Sequence, residues 1–320
     1  MKILVIGTGS IGTRHINNLL KLGVRPVLYS CSGVRKFKEL DYIDSLSVQE
    51  FDGILVCSKT SQHEEHIAFA LQCSKNIFIE KPLLMKLDEF ASWGGLVNPE
   101  HYIETGFMLR LHPQVKQIKE IIESGDLGRL LHCKLNVGQH LKFWRPNVDY
   151  VDSYSAKATE GGGVLNDLSH ELDLARFFCG AYRSSSAQIL SGSAINIESE
   201  ASADVISIHN NGIQSNVHLD YLNLAYTRNS QFIFERGSVF WNYATAKLQV
   251  FDNEGVETLS QSMSNFDRND MYEDYVQHFL NNIKSGEKNA VSDLEDGLEI
   301  VKLINVIKKE NVDESLRNRG

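Results

Sequence analysis

Five features are missing from this 320-residue chain: a CxxC pair, an excess of positive charge, a membrane-length apolar run, a low-complexity tract and an internal repeat. Each absence removes a class of protein. The five cysteines, Cys31, Cys57, Cys73, Cys133 and Cys179, are odd in number and far apart. That pattern fits reduced thiols in a cytoplasmic protein and neither a disulfide frame nor a zinc site. A net charge of −9 opposes a phosphate backbone, so nucleic acid is excluded as the main partner, although a local basic pocket for a small anion stays open. No window approaches the roughly twenty apolar residues of a membrane helix, and glycines interrupt the apolar start "KILVIG" too soon for a signal peptide. The expectation is a soluble, cytoplasmic chain without a membrane partner.

What is present is ordinary globular composition, 42% hydrophobic and 23% charged, in a chain too long for one ordinary core. Over about 110 residues, short β-branched runs alternate with helical patterns. "KILVIG", "PVLYS", "FDGILVCS", "NIFIE" and "YIETGF" read as strands. "SIGTRHINNLLKLG", "RKFKEL", "SQHEEHIAFALQC" and "LDEFASWGGLV" read as helices, the third capped by Thr60 or Ser61. This rhythm predicts a Rossmann-type doubly wound parallel sheet. From Ala187 to Phe251 strand patterns follow one another with little helix between them, and helical patterns return at the C-terminus. The expected fold class is therefore α/β, a Rossmann domain over 1–115 and an α+β domain with a large, mostly antiparallel sheet over 116–320. The C-terminal helices are free to pack back on the first domain.

"GTGSIG" places Gly7, Gly9 and Gly12 in GxGxxG spacing, after a strand and into a helix that opens with Ser10 and Ile11. Gly7 permits the tight turn, Gly9 lets a pyrophosphate approach the backbone, and Gly12 lets the helix pack closely. Helix N–H groups then face the phosphates. A dinucleotide is the expected cofactor. Strand two ends in Ser30, Ser32, Arg35 and Lys36 with no acid, and hydroxyls with a cation suit a 2′-phosphate. NADP(H) is favoured, with NAD(H) the other candidate; the competing account puts Arg35 and Lys36 on a solvated surface. Further on, "NIFIEKPLL" ends a strand with Glu80, Lys81 and Pro82, at the end of the sheet where α/β folds bind ligands. An ammonium placed there can polarise a carbonyl or hydroxyl oxygen.

These segments, with "FDGILVCSKTSQHEEHIAFALQCSKNIFIEKPL" and "GGGVLNDLSHELD", resemble the Gfo/Idh/MocA oxidoreductases, the glucose–fructose oxidoreductase and inositol dehydrogenase group. The resemblance covers nearly the whole chain. It implies hydride transfer between a nicotinamide cofactor and a secondary alcohol or ketone of a sugar, cyclitol or sugar nucleotide. It also implies Lys81, Asp167 and His170 as the catalytic group. Ser58, Thr60, His63, Glu80 and Lys81 then lie toward the cofactor. The Ser58-Lys59-Thr60 turn lacks the family's usual proline, and Asp167 stands three residues before His170 where the family commonly has four. Counted back from the histidine, Asn166 fills the family's acid position.

Both residues fall on the histidine's face of a continuous helix, at roughly 60° and 40° from it. Gly161, Gly162 and Gly163 would let substrate and nicotinamide approach the helix start. His170, titrating near neutrality, can carry the proton that accompanies hydride transfer. The plainer account is an Asp167 cap and a packed core His170. No third ligand stands at fixed spacing, so no metal is expected. Arg110 and His112 lie beyond a strand end, and Trp144, Arg145, Tyr150 and Tyr154 share one loop. Cations and aromatics suit a sugar, so Lys81, Arg110, Trp144, Tyr154, Asn166 and His170 are the expected substrate contacts. The loop with "GGGVLNDLSHELD" looks like family members of surface-polysaccharide and nonulosonic-acid synthesis. An exposed sheet face would serve a homodimer or homotetramer. Two rival readings remain: a dinucleotide-sensing regulator of the same fold, and an imine or biliverdin-type reductase, which needs no histidine base.

Overall fold

The computed structural model describes residues 1–145, 148–263 and 265–317. The chain divides into two compact units, Met1–Leu111 with Asp267–Lys302, and His112–Phe266 with the segment from Leu303 onward.

In the first unit, β1 (Ile3–Ile6), β2 (Val27–Tyr29), β3 (Gly53–Val56), β4 (Asn76–Ile79) and β5 (Tyr102–Thr105) form a parallel sheet in the order β2-β1-β3-β4-β5. Every residue of β1, β3 and β5 is buried, the mark of strands covered on both faces. α1 (Ser10–Lys21) and α2 (His63–Cys73) are the crossovers after β1 and β3. Residues 35–40 form no helix. The residues that follow, 41–43, run beside β2, with Leu28 N donating to Asp41 O and Ile43 N to Leu28 O, and Phe37 N within the 35–40 stretch donates to Tyr42 Oη rather than to a helical carbonyl. The "LDEFASWGGLV" stretch makes two 3-10 turns, Leu87–Ser92 and Gly94–Leu96, rather than an α-helix. Its Trp93 is buried edge-on to Phe90. Thr60 and Ser61 lie in a 3-10 turn before α2, whose N-cap position is held by Gln62.

Glu104 explains why Asp267–Lys302 belongs to this unit. Its carboxylate is wholly buried on β5 and accepts hydrogen bonds from Tyr275 Oη at 2.8 Å, Val291 N at 3.2 Å and Ser292 N at 3.4 Å. A buried carboxylate needs such donors, and the C-terminal segment supplies them. Tyr275 lies on α6 (Arg268–Ser285), and Val291 and Ser292 just precede α7 (Leu294–Arg317). A Cβ on Gly53 would stand 2.7 Å from Ile283 Cδ1, so a bare β3 start admits α6.

In the second unit, α3 (Pro113–Ser124) leads into β6 (Leu130–Gly138). Two short helices follow, α4 (Val164–Asp167) and α5 (His170–Cys179). The remaining strands are β7 (Tyr182–Ser191), β8 (Glu200–His209), β9 (Gln214–Asp220), β10 (Thr227–Phe234), β11 (Gly237–Asn242), β12 (Lys247–Phe251) and β13 (Glu257–Ser262). The sheet order is β13-β12-β11-β10-β6-β9-β8-β7, antiparallel throughout except for β6 with β9. One face buries Cys133, Leu135, Val137, Val205, Val217, Leu219, Phe232, Val239 and Trp241. The alternate positions carry Lys134, Asn136, Asp204, Ile206, Asn216, His218, Gln231 and Phe240 on a concave opposite face.

On that face His218 lies between Asp204 (2.7 Å from Nδ1) and Asp220 (3.2 Å from Nε2). Its hydrogen bond to Asp220, reinforced by Asp204, raises its pKa to about 9 from the ordinary 6.5. A raised folded-state pKa stabilises the fold fully below about 6.5, and that contribution is lost as pH rises through about 9. Melting temperatures of wild type and His218→Gln should therefore differ most at pH 6 and converge above pH 9, on the order of the ~1 kcal/mol or less of a partly exposed pair. An unchanged gap would disprove the assignment.

Candidate functional site

The parallel sheet reverses its winding between β1 and β3, where this fold class binds ligands. Gly7 sits at that point with φ +99°, and a Cβ on it would lie 2.7 Å from Cys57 O and Ser58 N. A Cβ on Gly12 would come 1.9 Å from Gly7 O. Gly9 differs: nothing among the described residues lies within 4 Å of where its Cβ would be. It precedes α1, which no side chain among the described residues caps. Helix-start N–H groups at Ser10, Ile11 and Gly12 therefore face an open cradle, which suits the pyrophosphate of a dinucleotide.

Beyond β2, Ser30 Oγ lies 3.3 Å from Thr8 Oγ1 and 3.4 Å from Ser32 Oγ, and donates to Val34 O at 2.8 Å. Lys36 Nζ donates to Thr8 O at 3.0 Å. Arg35 turns elsewhere, pairing with Asp44 and covering the Tyr42 ring at 5.2 Å. The cation beside the glycine loop is thus Lys36, while the expected Arg35 is held by an acid the strand pattern gave no reason to pair with it.

After β3, Ser58 and Thr60 form the turn, and two histidines support it. His63, 1% exposed, has Nε2 3.2 Å from Ser58 O and Nδ1 3.0 Å from Leu83 O. It fastens the β3 turn to the Lys81-Pro82-Leu83 turn, and burial lowers its pKa despite the two carbonyls. His66 Nδ1 meets Ser58 Oγ at 2.8 Å, and burial lowers that imidazole to about 4. Glu80 is 4% exposed: Oε1 lies 2.6 Å from His15 Nε2, and Oε2 accepts the Lys81 N–H at 3.2 Å. Lys81 itself is half-buried at the end of β4 and joined to Pro82 by a cis peptide. Arg110 is buried and donates to Asp296 Oδ2 at 2.7 Å and Val291 O at 3.0 Å, which ties it to the start of α7 instead of an open face.

In the second unit the glycine-led segment is not one helix. It breaks at Leu168-Ser169, so Asp167 ends α4 and His170 begins α5. The shared-face geometry expected for Asn166, Asp167 and His170 does not apply. Asn166 is buried with Nδ2 donating to Gly161 O at 3.0 Å, and Tyr154 Oη donates to the same oxygen at 3.0 Å. Asp167 Oδ2 accepts from Tyr221 Oη at 2.6 Å, and Trp144 packs edge-on against the Tyr221 ring at 5.3 Å. The indole Nε1 donates to Gln139 O at 3.1 Å. The glycines have internal reasons rather than an evident ligand-facing one. A Cβ on Gly162 would lie 2.4 Å from Tyr154 O and Ser155 O, and one on Gly163 (φ +111°) would lie 2.3 Å from Glu200 Oε1. Lys308 Nζ holds that carboxylate at 3.1 Å. On α5, Glu171 receives Arg228 in a buried bidentate pair at 2.6 and 3.1 Å. His112 caps α3 among Trp241, Tyr243 and Phe266, and burial lowers its pKa to about 4.

Three of these residues escape a reading by motif: His15, Tyr221 and Glu200. Only His15 leaves a trace, since it stands one helical turn after Gly12. Among the described residues, no group of three or more His, Cys, Asp and Glu could hold a metal ion, and no helix is long and apolar enough to cross a membrane.

Two family models match the chain. Residues 27–98 match an "Oxidoreductase family, NAD-binding Rossmann fold", and residues 115–240 match the "GFO/IDH/MocA C-terminal domain". The chain is 26% identical over 325 aligned positions to the myo-inositol 2-dehydrogenase of Thermotoga maritima, covering 93% of this chain and 92% of that one. It is 30% identical over 191 residues to the oxidoreductase YrbE of Bacillus subtilis, covering 55% of this chain and spanning about half, 53%, of that relative. A solved levoglucosan dehydrogenase in complex with NADH superposes with a TM-score of 0.84 at 17% identity, over 98% of this chain and 97% of that one, which shows a common fold. With one match on the glycine-loop unit and the other on the eight-stranded unit, the chain belongs to the GFO/IDH/MocA family of oxidoreductases.

Proposed function

We propose that the protein is an NAD(P)-dependent dehydrogenase or reductase acting on a secondary alcohol or ketone of a sugar, cyclitol or sugar nucleotide. The open cradle at Gly9, before an uncapped helix and at the sheet's switch point, carries this reading. A nicotinamide coenzyme bound there supplies or accepts the hydride. Lys81, presented by β4, polarises the substrate oxygen. His170 takes the hydroxyl proton in oxidation and returns it in reduction, so one group serves both directions. Asp167, oriented by Tyr221, hydrogen-bonds the substrate or the imidazole. Tyr154 and Trp144 give the second unit an aromatic wall suited to sugar faces. A surface-polysaccharide or nonulosonic-acid precursor fits this set.

NADP(H) is the favoured coenzyme, with NAD(H) as the alternative. Ser30, Ser32 and Lys36 supply two hydroxyls and a cation beside the loop. The concave sheet face is the proposed homo-oligomer surface, a homodimer or a pair of homodimers, because exposed Ile206 and Phe240 stand there among amides.

Three measurements test these statements. With NADPH and a panel of keto-sugars and inosones, Lys81→Ala and His170→Asn should each lower kcat by about 10²–10⁴-fold, with coenzyme affinity within threefold. Full activity in His170→Asn would point to an imine-type reductase, and coenzyme binding without turnover by the wild type to a sensor. Lys36→Ala should raise the KM for NADPH about tenfold, the loss of one charge-assisted contact, and leave that for NADH unchanged; equal effects would remove the 2′-phosphate assignment. In light scattering, Ile206→Glu with Phe240→Glu should halve the mass of the assembly, and an unchanged mass would place the interface elsewhere.

A further inference from the structure

The residue between the cofactor loop and the proposed catalytic lysine is Glu80, and its surroundings describe a linkage more than a ligand contact. Its carboxylate is buried and its two oxygens are used differently. Oε2 receives the Lys81 peptide N–H at 3.2 Å, and Oε1 faces His15 Nε2 at 2.6 Å. A carboxylate only accepts, so Nε2 carries the hydrogen. Nδ1 of the same ring is buried and has no hydrogen-bond partner among the described residues, as suits the tautomer with a bare Nδ1. The ring is wholly buried and stands in an aromatic slot, 5.2 Å from Phe78 and 6.0 Å from Tyr272 between ring centres. It therefore has little freedom to turn away. On the other side of Glu80, a Cβ on Gly106 would reach to 3.0 Å from Oε2, so the carboxylate is enclosed there as well.

His15 belongs to α1, whose N-terminus is the cofactor cradle, and lies three residues after Gly12. A short buried chain thus runs from the cradle helix through an imidazole and a carboxylate to the backbone of Lys81. We propose that Glu80 and His15 are positioning residues rather than cofactor ligands: together they set the Lys81 backbone in register with the dinucleotide cradle. This rests on the catalytic role proposed for Lys81. The physical basis is that hydrogen bonds between buried, geometrically fixed groups transmit a displacement that solvated groups would absorb. A misplacement of about 1 Å at a reacting group costs up to about a hundredfold in rate.

The test uses the full-length enzyme and four variants. His15→Leu removes the donor. His15→Gln keeps an N–H near the Nε2 position. Glu80→Gln keeps an acceptor for Lys81 but asks His15 to accept at Nε2, which puts a hydrogen on the unpartnered Nδ1. Lys81→Ala is the benchmark. His15→Leu and Glu80→Gln should lower kcat about tenfold to a hundredfold while coenzyme affinity, read by fluorescence titration, changes less than threefold. His15→Gln should recover most of the loss. The His15→Leu/Glu80→Gln double variant should fall no lower than its worse single, because the two act as one unit. Melting curves establish that each variant is folded. A Lys81→Ala enzyme with unchanged kcat would overturn the lysine's role and this proposal with it. A crippled Lys81→Ala beside His15→Leu and Glu80→Gln enzymes of normal kcat would overturn this proposal alone. Weakened coenzyme binding with kcat intact would return Glu80 to the cofactor contacts.

Discussion

The nucleotide-binding unit depends on a backbone approach that leaves no room for side chains. Gly12 lies so close to the Gly7 carbonyl, and Gly7 so close to Cys57 and Ser58, that a single methyl at either place would separate α1 from the sheet. That closeness fixes where α1 starts and brings His15 within reach of Glu80. The cradle, the β3 turn and the Lys81 turn are thus set by one steric fact at the carboxyl ends of β1 and β3.

The second unit reaches its arrangement differently. Its glycines make room for the protein's own groups: Gly162 for two carbonyl oxygens and Gly163 for the Glu200 carboxylate. Lys308 on α7 and the Leu165 N–H both bind that carboxylate, so α4 is pinned at its start. Tyr221 at the end of β9 and Trp144 before it pin α4 at its other end through Asp167. A four-residue helix has little stability of its own, and these tertiary contacts hold it.

The strands were the most legible part of the chain, because both periodicities come directly from burial. β1 and β3 are unbroken apolar runs, and β8 and β9 alternate. β13 carries no such mark: its residues are nearly all exposed, so no buried face patterns them. The helix over 35–40 and the continuous helix from Gly163 were misjudged for a common reason. Local composition allows them, but partners outside each segment settle the outcome, Thr8 and Tyr42 in one case and Glu200 with Tyr221 in the other. The candidate site shows the same division. Gly7, Gly9, Gly12 and Lys81 stand in motifs whose spacing has a steric meaning. Arg35 and Arg110 stand in suitable places but are drawn to Asp44 and Asp296, and His63 is buried as a fastening between turns.

The buried Glu104 carboxylate also bears on the order of events as the chain leaves the ribosome. Donors to it lie on α6 and just before α7, more than 150 residues downstream. Until that segment emerges, the nascent α/β sheet would hold on its last strand a carboxylate short of donors, served by Tyr102 Oη of the same strand, at the free-energy cost of burying an incompletely satisfied charge. The intervening antiparallel strands, β6 to β13, are all in sequence by then, while the last piece of their unit, from Leu303 onward with the Lys308 that binds Glu200, follows. Synthesis therefore delivers the eight-stranded sheet before the first unit has its last donors, and the segment from Leu303 onward reaches the second unit last of all.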